Sequence, residues 1–127
     1  MLITYESARS IEDVCASMEP TVQKHRFGVM TTHNLKETMA RKGVSFEKEC
    51  FIFEICNPHQ AKRVLDARME VSTALPCRVS VYLDGGRVKI ATLQPTAMLA
   101  LFGAPELVPV AQEVEAAITA IMREVAG

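Results

Sequence analysis

The sequence predicts an α+β fold: a single two-layer domain, a mainly antiparallel sheet packed against helices, with a long C-terminal helix. Three stretches carry that prediction. Cys77, Val79, Val81 and Leu83 fall on one face of a strand, Asp84-Gly85-Gly86 supplies the positive-φ residues of a tight turn, and Arg87 to Leu93 returns as the partner strand. In Lys48 to Gln60, KECFIFEICNPHQ, branched and aromatic residues form a strand that Asn57-Pro58 converts into a helix, Asn57 as cap and Pro58 as first helical residue. From Pro105 to about Val125, the residues Leu107, Val110, Ala111, Val114, Ile118, Ile121, Met122 and Val125 recur at helical spacing. A helix with such a stripe must cover a sheet or pair with another chain.

The remaining elements follow in chain order. Leu2 to Tyr5 reads as a first strand. Ser10 caps a helix carrying Ile11, Val14, Cys15, Met18 and Val22 inward, and Pro20 predicts a kink or break near Ala16 to Glu19. Phe27 to Thr32 reads as a second strand in which Gly28 marks a bulge or a close backbone approach, and His33-Asn34 as the cap region of a short helix. That helix runs from Leu35 to Lys42 and stops at Gly43. After Pro58, Ala61, Val64 and Leu65 face inward, and the helix loosens near Ala67 to Ser72. Leu75-Pro76 leads into the strand at Cys77, and a short helix over Ala97 to Phe102 breaks at Gly103-Ala104.

At 127 residues, 49% apolar with no tryptophan, the chain suits one domain spanning 1–127 with an aliphatic core. Fourteen basic against fifteen acidic residues, without a basic run, give no footprint for nucleic acid or an acidic membrane. No window approaches ~18 uninterrupted apolar residues, and MLITYESARS lacks the features of an export signal, so the expectation is a soluble, cytoplasmic protein. The same compartment predicts thiols for Cys15, Cys50, Cys56 and Cys77. Cys15, on an apolar helical stripe, reads as core.

Candidate chemistry gathers at the strand-to-helix junction. Cys56 and His59 fall at the N-terminus of a helix, where free amides at His59, Gln60 and Ala61 and the helix dipole favour an anion or a thiolate. The competing reading is that Asn57 only caps the helix and Cys56 is a small buried hydrophobe. If the strand at Cys77 pairs beside this one, Glu54, Cys56, Asn57, His59, Cys77 and Arg78 converge as a ligand-binding set, with Ile52, Val79 and Met98 as apolar walls and Arg78 orienting a polar or anionic group. A second reading is thiol-redox or metal chemistry, with Cys56, His59 and Cys77 as candidate ligands for zinc or copper. A third is an interaction or scaffold subunit without catalysis. His25 and His33 read as exposed loop histidines. No signature of dinucleotide, phosphate-loop, metalloprotease or serine-hydrolase chemistry occurs, so the sequence names neither a cofactor nor a reaction.

Read together, FGVMTTHNLKETMARKGVSF, EICNPHQAKRVL, LPCRVSVY and PTAMLALFGAPEL resemble the domain-of-unknown-function 302 (DUF302) family over nearly the whole chain. Cys56-Asn57-Pro58 and Leu75-Pro76-Cys77-Arg78 are its most telling pieces. The resemblance implies a compact α+β fold that pairs as a homodimer, and it supplies no activity.

Overall fold

The computed structural model describes residues 1–127. Its strands are β1 (Leu2–Ser7), β2 (Gly28–Asn34), β3 (Cys50–Cys56), β4 (Cys77–Asp84) and β5 (Arg87–Leu93). Its helices are α1 (Ile11–Lys24), α2 (Leu35–Arg41), α3 (Pro58–Ala67), α4 (Pro95–Ala100) and α5 (Val108–Ala126), with short 3-10 turns at Met69–Ala74 and Pro105–Leu107. The strands form one antiparallel sheet in the order β1-β5-β4-β3-β2. Thus β4 is the central strand, and β3, the strand that runs into Asn57-Pro58, is its neighbour.

One face of the sheet is covered by helices. Phe53 and Ile55 of β3, Val79 and Val81 of β4 and Val88 and Ile90 of β5 point to it, and α1 and α5 pack side by side against them. Every residue of the predicted α5 stripe is buried, with Ile118, Ile121, Met122 and Val125 fully enclosed. The other face is open and polar, carrying Glu6, Glu54, Arg78, Tyr82 and Lys89.

The ends of α5 and β1 are tied together. Ser7 Oγ donates to the Ala126 carbonyl at 2.6 Å and Arg9 Nη1 donates to the Val125 carbonyl at 2.9 Å, satisfying acceptors that the last turn of a helix leaves unpaired.

Several boundaries differ from the sequence reading, each for a physical reason. α1 does not break at Pro20: the residue is exposed, and the helix continues through it to Lys24 because Met18, Thr21 and Val22 anchor both sides in the core. β2 extends through His33 to Asn34, because β3 offers ladder partners that far, His33 opposite Ile52 and Asn34 opposite Phe51. Asn34 still caps α2, its Oδ1 accepting from the Glu37 amide at 3.1 Å. The irregularity expected at Gly28 lies between Val29 and Thr31. No helix is long and apolar enough to cross a membrane.

Candidate functional site

The sheet divides at one end. The ladder between β4 and β5 stops at Ser80 opposite Ala91, while β4 stays paired to β3 down to Cys77 and β5 stays paired to β1 down to Leu93. Beyond the division Thr92 Oγ1 donates to the Arg78 carbonyl at 2.6 Å. The gap opens into a cleft of about 220 Å³ between the two strand ends, the Thr73-Ala74 turn and the start of α4. Leu75, Cys77, Pro95 and Met98 form a wall shared with an inner cavity of about 30 Å³, which continues under the first turns of α3. Nearly all of that inner lining is apolar. The exception that matters is Gln60, whose Oε1 is buried and accepts no hydrogen bond. Buried polar atoms almost always have a partner, so an acceptor that no group of the chain satisfies stands out in this lining.

Of the residues singled out in the sequence, Cys56, Asn57 and Cys77 line the inner cavity, and Arg78 lines the outer cleft together with Cys77. The pairing of β3 with β4 sets Ile55 opposite Cys77 and Glu54 opposite Arg78, as the convergence required. Around the thiols, burial outweighs the helix N-terminus. Burial raises the Cys56 thiol above its ordinary value, and burial followed by the nearby Cys56 pushes Cys77 up to about 11. Both are therefore held as thiols rather than activated as thiolates, and all four cysteines are free. The helix N-terminus does not reverse this, because its amides are occupied: those of His59 and Gln60 donate to Asn57 Oδ1 at 3.0 Å, and that of Ala61 to the Asn57 carbonyl at 2.9 Å.

His59 is exposed on a different surface, outside the cavity that Cys56 and Cys77 share. No three His, Cys, Asp or Glu side chains gather closely enough to hold a metal ion, so the Cys56, His59 and Cys77 set is not assembled. Glu54 and Arg78 meet on the open face, where the largely buried Glu54 carboxylate lies 3.3 Å from Arg78 Nε and 3.4 Å from His33 Nε2. This triad links β2, β3 and β4, and it makes His33 a strand residue with a partner rather than a loop histidine. His25 also has a partner, Glu124, at 3.4 Å. Ile52 belongs to the open face and Val79 to the closed core, so of the three proposed apolar walls only Met98 lines the cleft.

Sequence reasoning missed Gln60, Leu75, Thr92 and Pro95. For Gln60 a signal was available: it precedes Val64 by one helical turn, which puts an amide on the inward stripe of α3. The others are gathered by the division of the sheet, which has no local signature.

Among curated proteins none matches the chain. A solved structure of an uncharacterised conserved DUF302 protein from Bacillus stearothermophilus superposes with a TM-score of 0.92 at 27% identity, covering 99% of this chain and 98% of that one. The family model described as "Domain of unknown function DUF302" matches residues 3–125. With that match spanning nearly every element from β1 to α5, the chain belongs to the DUF302 family.

Proposed function

We propose that the protein is a binding module for a small, largely apolar molecule that enters the cleft between β4 and β5 and presents a hydrogen-bond donor to Gln60. The observation that carries this reading is Gln60, which lines a mainly apolar cavity and whose enclosed Oε1 has no partner within the chain. Leaving such an acceptor unmade costs about 1–3 kcal/mol, a cost that a ligand donor removes. A single trapped water is a poor substitute, because an ordered water needs about two to four polar partners and this lining supplies few. The inner cavity of about 30 Å³ accepts one small group, and the outer 220 Å³ sets the size of the rest. Together they favour a ligand smaller than the usual drug-sized occupant. The raised pKa values of Cys56 and Cys77 favour recognition over nucleophilic chemistry at this site.

Ligand-observed NMR against a library of small amphipathic fragments tests the reading, with Gln60→Met as the control because methionine keeps the length of the side chain and removes its amide. Fragments bearing a hydroxyl or N–H should bind the wild type and weaken about tenfold with Gln60→Met. Equal binding to both proteins would refute the role given to Gln60.

A specific observation also favours a homodimer formed through the open sheet face. Its charges are already neutralised within the chain, Glu6 by Arg87 and Lys89, Asp84 by Lys89, and Glu54 by Arg78, which reduces the charge left uncompensated when the face is covered. Leu2 and Leu93 stand opposite each other on it, both at least half exposed. Sedimentation velocity should give twice the chain mass, and the double variant Leu2→Glu/Leu93→Glu a single chain mass. A wild-type monomer at ~100 μM would rule this pairing out.

A further inference from the structure

A second concavity, about 610 Å³, lies on the other side of Asn57 and Gln60 from the cleft, between the end of α1, the first turn of α3 and the middle of α5. Its lining is mainly polar, and its ionisable side chains are His25, Arg26, His59 and Arg63, with Glu113 as the acid within it. The charges are unevenly matched. Arg63 and Glu113 form a two-pronged pair, both contacts 2.9 Å, and His25 is paired with Glu124, which Lys24 also holds. Arg26 and His59 have no acidic partner at all.

Arg26 is also where the backbone is least suited to a side chain. It is the one non-glycine residue with positive φ, at 66°. The position ends α1: the Arg26 amide donates to the Gln23 carbonyl at 2.9 Å and the Phe27 amide to the Val22 carbonyl at 3.0 Å. A helix closed in this way usually has glycine there, because a Cβ is crowded in the left-handed region. The first turn of α3 fixes this backbone, Asn57 Nδ2 donating to the Arg26 carbonyl at 3.2 Å. An arginine is thus kept where glycine folds more easily, at the edge of a groove that His59 and Arg63 also line.

We infer that this groove binds the phosphate group of a small molecule, with Arg26 as the principal ligand, His59 as a second donor and Arg63 contributing the guanidinium edge that Glu113 leaves free. Phosphate fits better than a carboxylate, since one guanidinium engages two oxygens at once and a phosphate keeps further acceptor oxygens for a second arginine edge and an imidazole N–H around the same concavity. The amides of α3 take no part, as Asn57 already occupies them. The site is distinct from the cleft and does not depend on the ligand proposed there.

The test is an amide-resolved NMR titration of the intact protein with inorganic phosphate and, separately, glycerol 3-phosphate, each replacing chloride at constant ionic strength. The inference predicts saturable shifts at Arg26, Phe27 and His59 with both probes, tighter for the ester if the natural ligand is a phosphorylated molecule. Arg26→Gly should fold with a Tm equal to the wild type or about 2–4 °C higher, yet bind each probe about tenfold more weakly. His59→Ala, an exposed change, should weaken binding without moving Tm. Absence of saturable shifts in the wild type, or wild-type affinity in Arg26→Gly, would overturn the inference.

Discussion

At the scale of single residues, burial decides the chemistry of the cysteines. The sequence puts Cys56 beside a helix N-terminus, which lowers a thiol pKa, but Asn57 consumes the amides and the apolar lining raises the pKa instead. Cys77, at about 11, and Cys15, pushed to about 11 by burial and then by Glu12 and Glu49, behave alike. The sign of the linkage follows. The native state keeps these protons to higher pH than the unfolded chain, so their stabilising effect is complete below about pH 9 and is lost as pH rises towards 11. Urea unfolding at successive pH values should therefore show stability declining across that window, less steeply in Cys77→Ala than in the wild type. An unchanged slope in the variant would contradict a buried, protonated Cys77. The identities of these residues were legible in the sequence, and Cys15 was read correctly as core-facing. What was not legible is the balance between dipole and desolvation at Cys56, because it depends on side chains from α4 and α5 that enclose the cavity.

At the scale of elements, Asn57 joins two helix ends. Its Oδ1 caps α3 while its Nδ2 holds the Arg26 carbonyl at the end of α1. Replacement by alanine should lower the unfolding free energy by about 1–2 kcal/mol, measured by denaturant titration. Asn57→Ser should recover the cap contribution but not the tie to Arg26, and full recovery by serine would mean that the tie contributes nothing. Elements whose logic is local were read well: the Asp84-Gly85-Gly86 hairpin, the Asn57-Pro58 junction and the α5 stripe all lie where side-chain period and turn chemistry put them. Pro20 shows the limit of local reasoning. A proline that breaks an isolated helix is tolerated here because its ring lies on the solvent side of a helix held by Met18 and Val22.

At the scale of the whole molecule, the functional reading depends on strand order. Placing β4 between β5 and β3 brings Glu54 against Arg78 and Ile55 against Cys77, and the early end of the β4–β5 ladder opens the cleft. Neither feature is encoded by a local pattern. Antiparallel pairing constrains which residues share a face but not which strands are neighbours, so Ile52 and Val79 were assigned to one wall although the pleat sends them to opposite faces. The same arrangement explains why the predicted site residues fall into three groups: Cys56, Asn57 and Cys77 at the inner cavity, Glu54 with Arg78 on the open face, and His59 in the groove beside Arg26. The claim on which the proposed function rests is that Gln60 is held in the cavity at a cost to folding that a ligand removes. The most direct test is the difference in unfolding free energy between Gln60→Met and the wild type in urea, with no ligand added. A gain of about 1–2 kcal/mol in the variant is predicted, since methionine fills the same space without an unmet acceptor. A loss of similar size would contradict the account, because it would mean that the Gln60 amide is already satisfied within the protein.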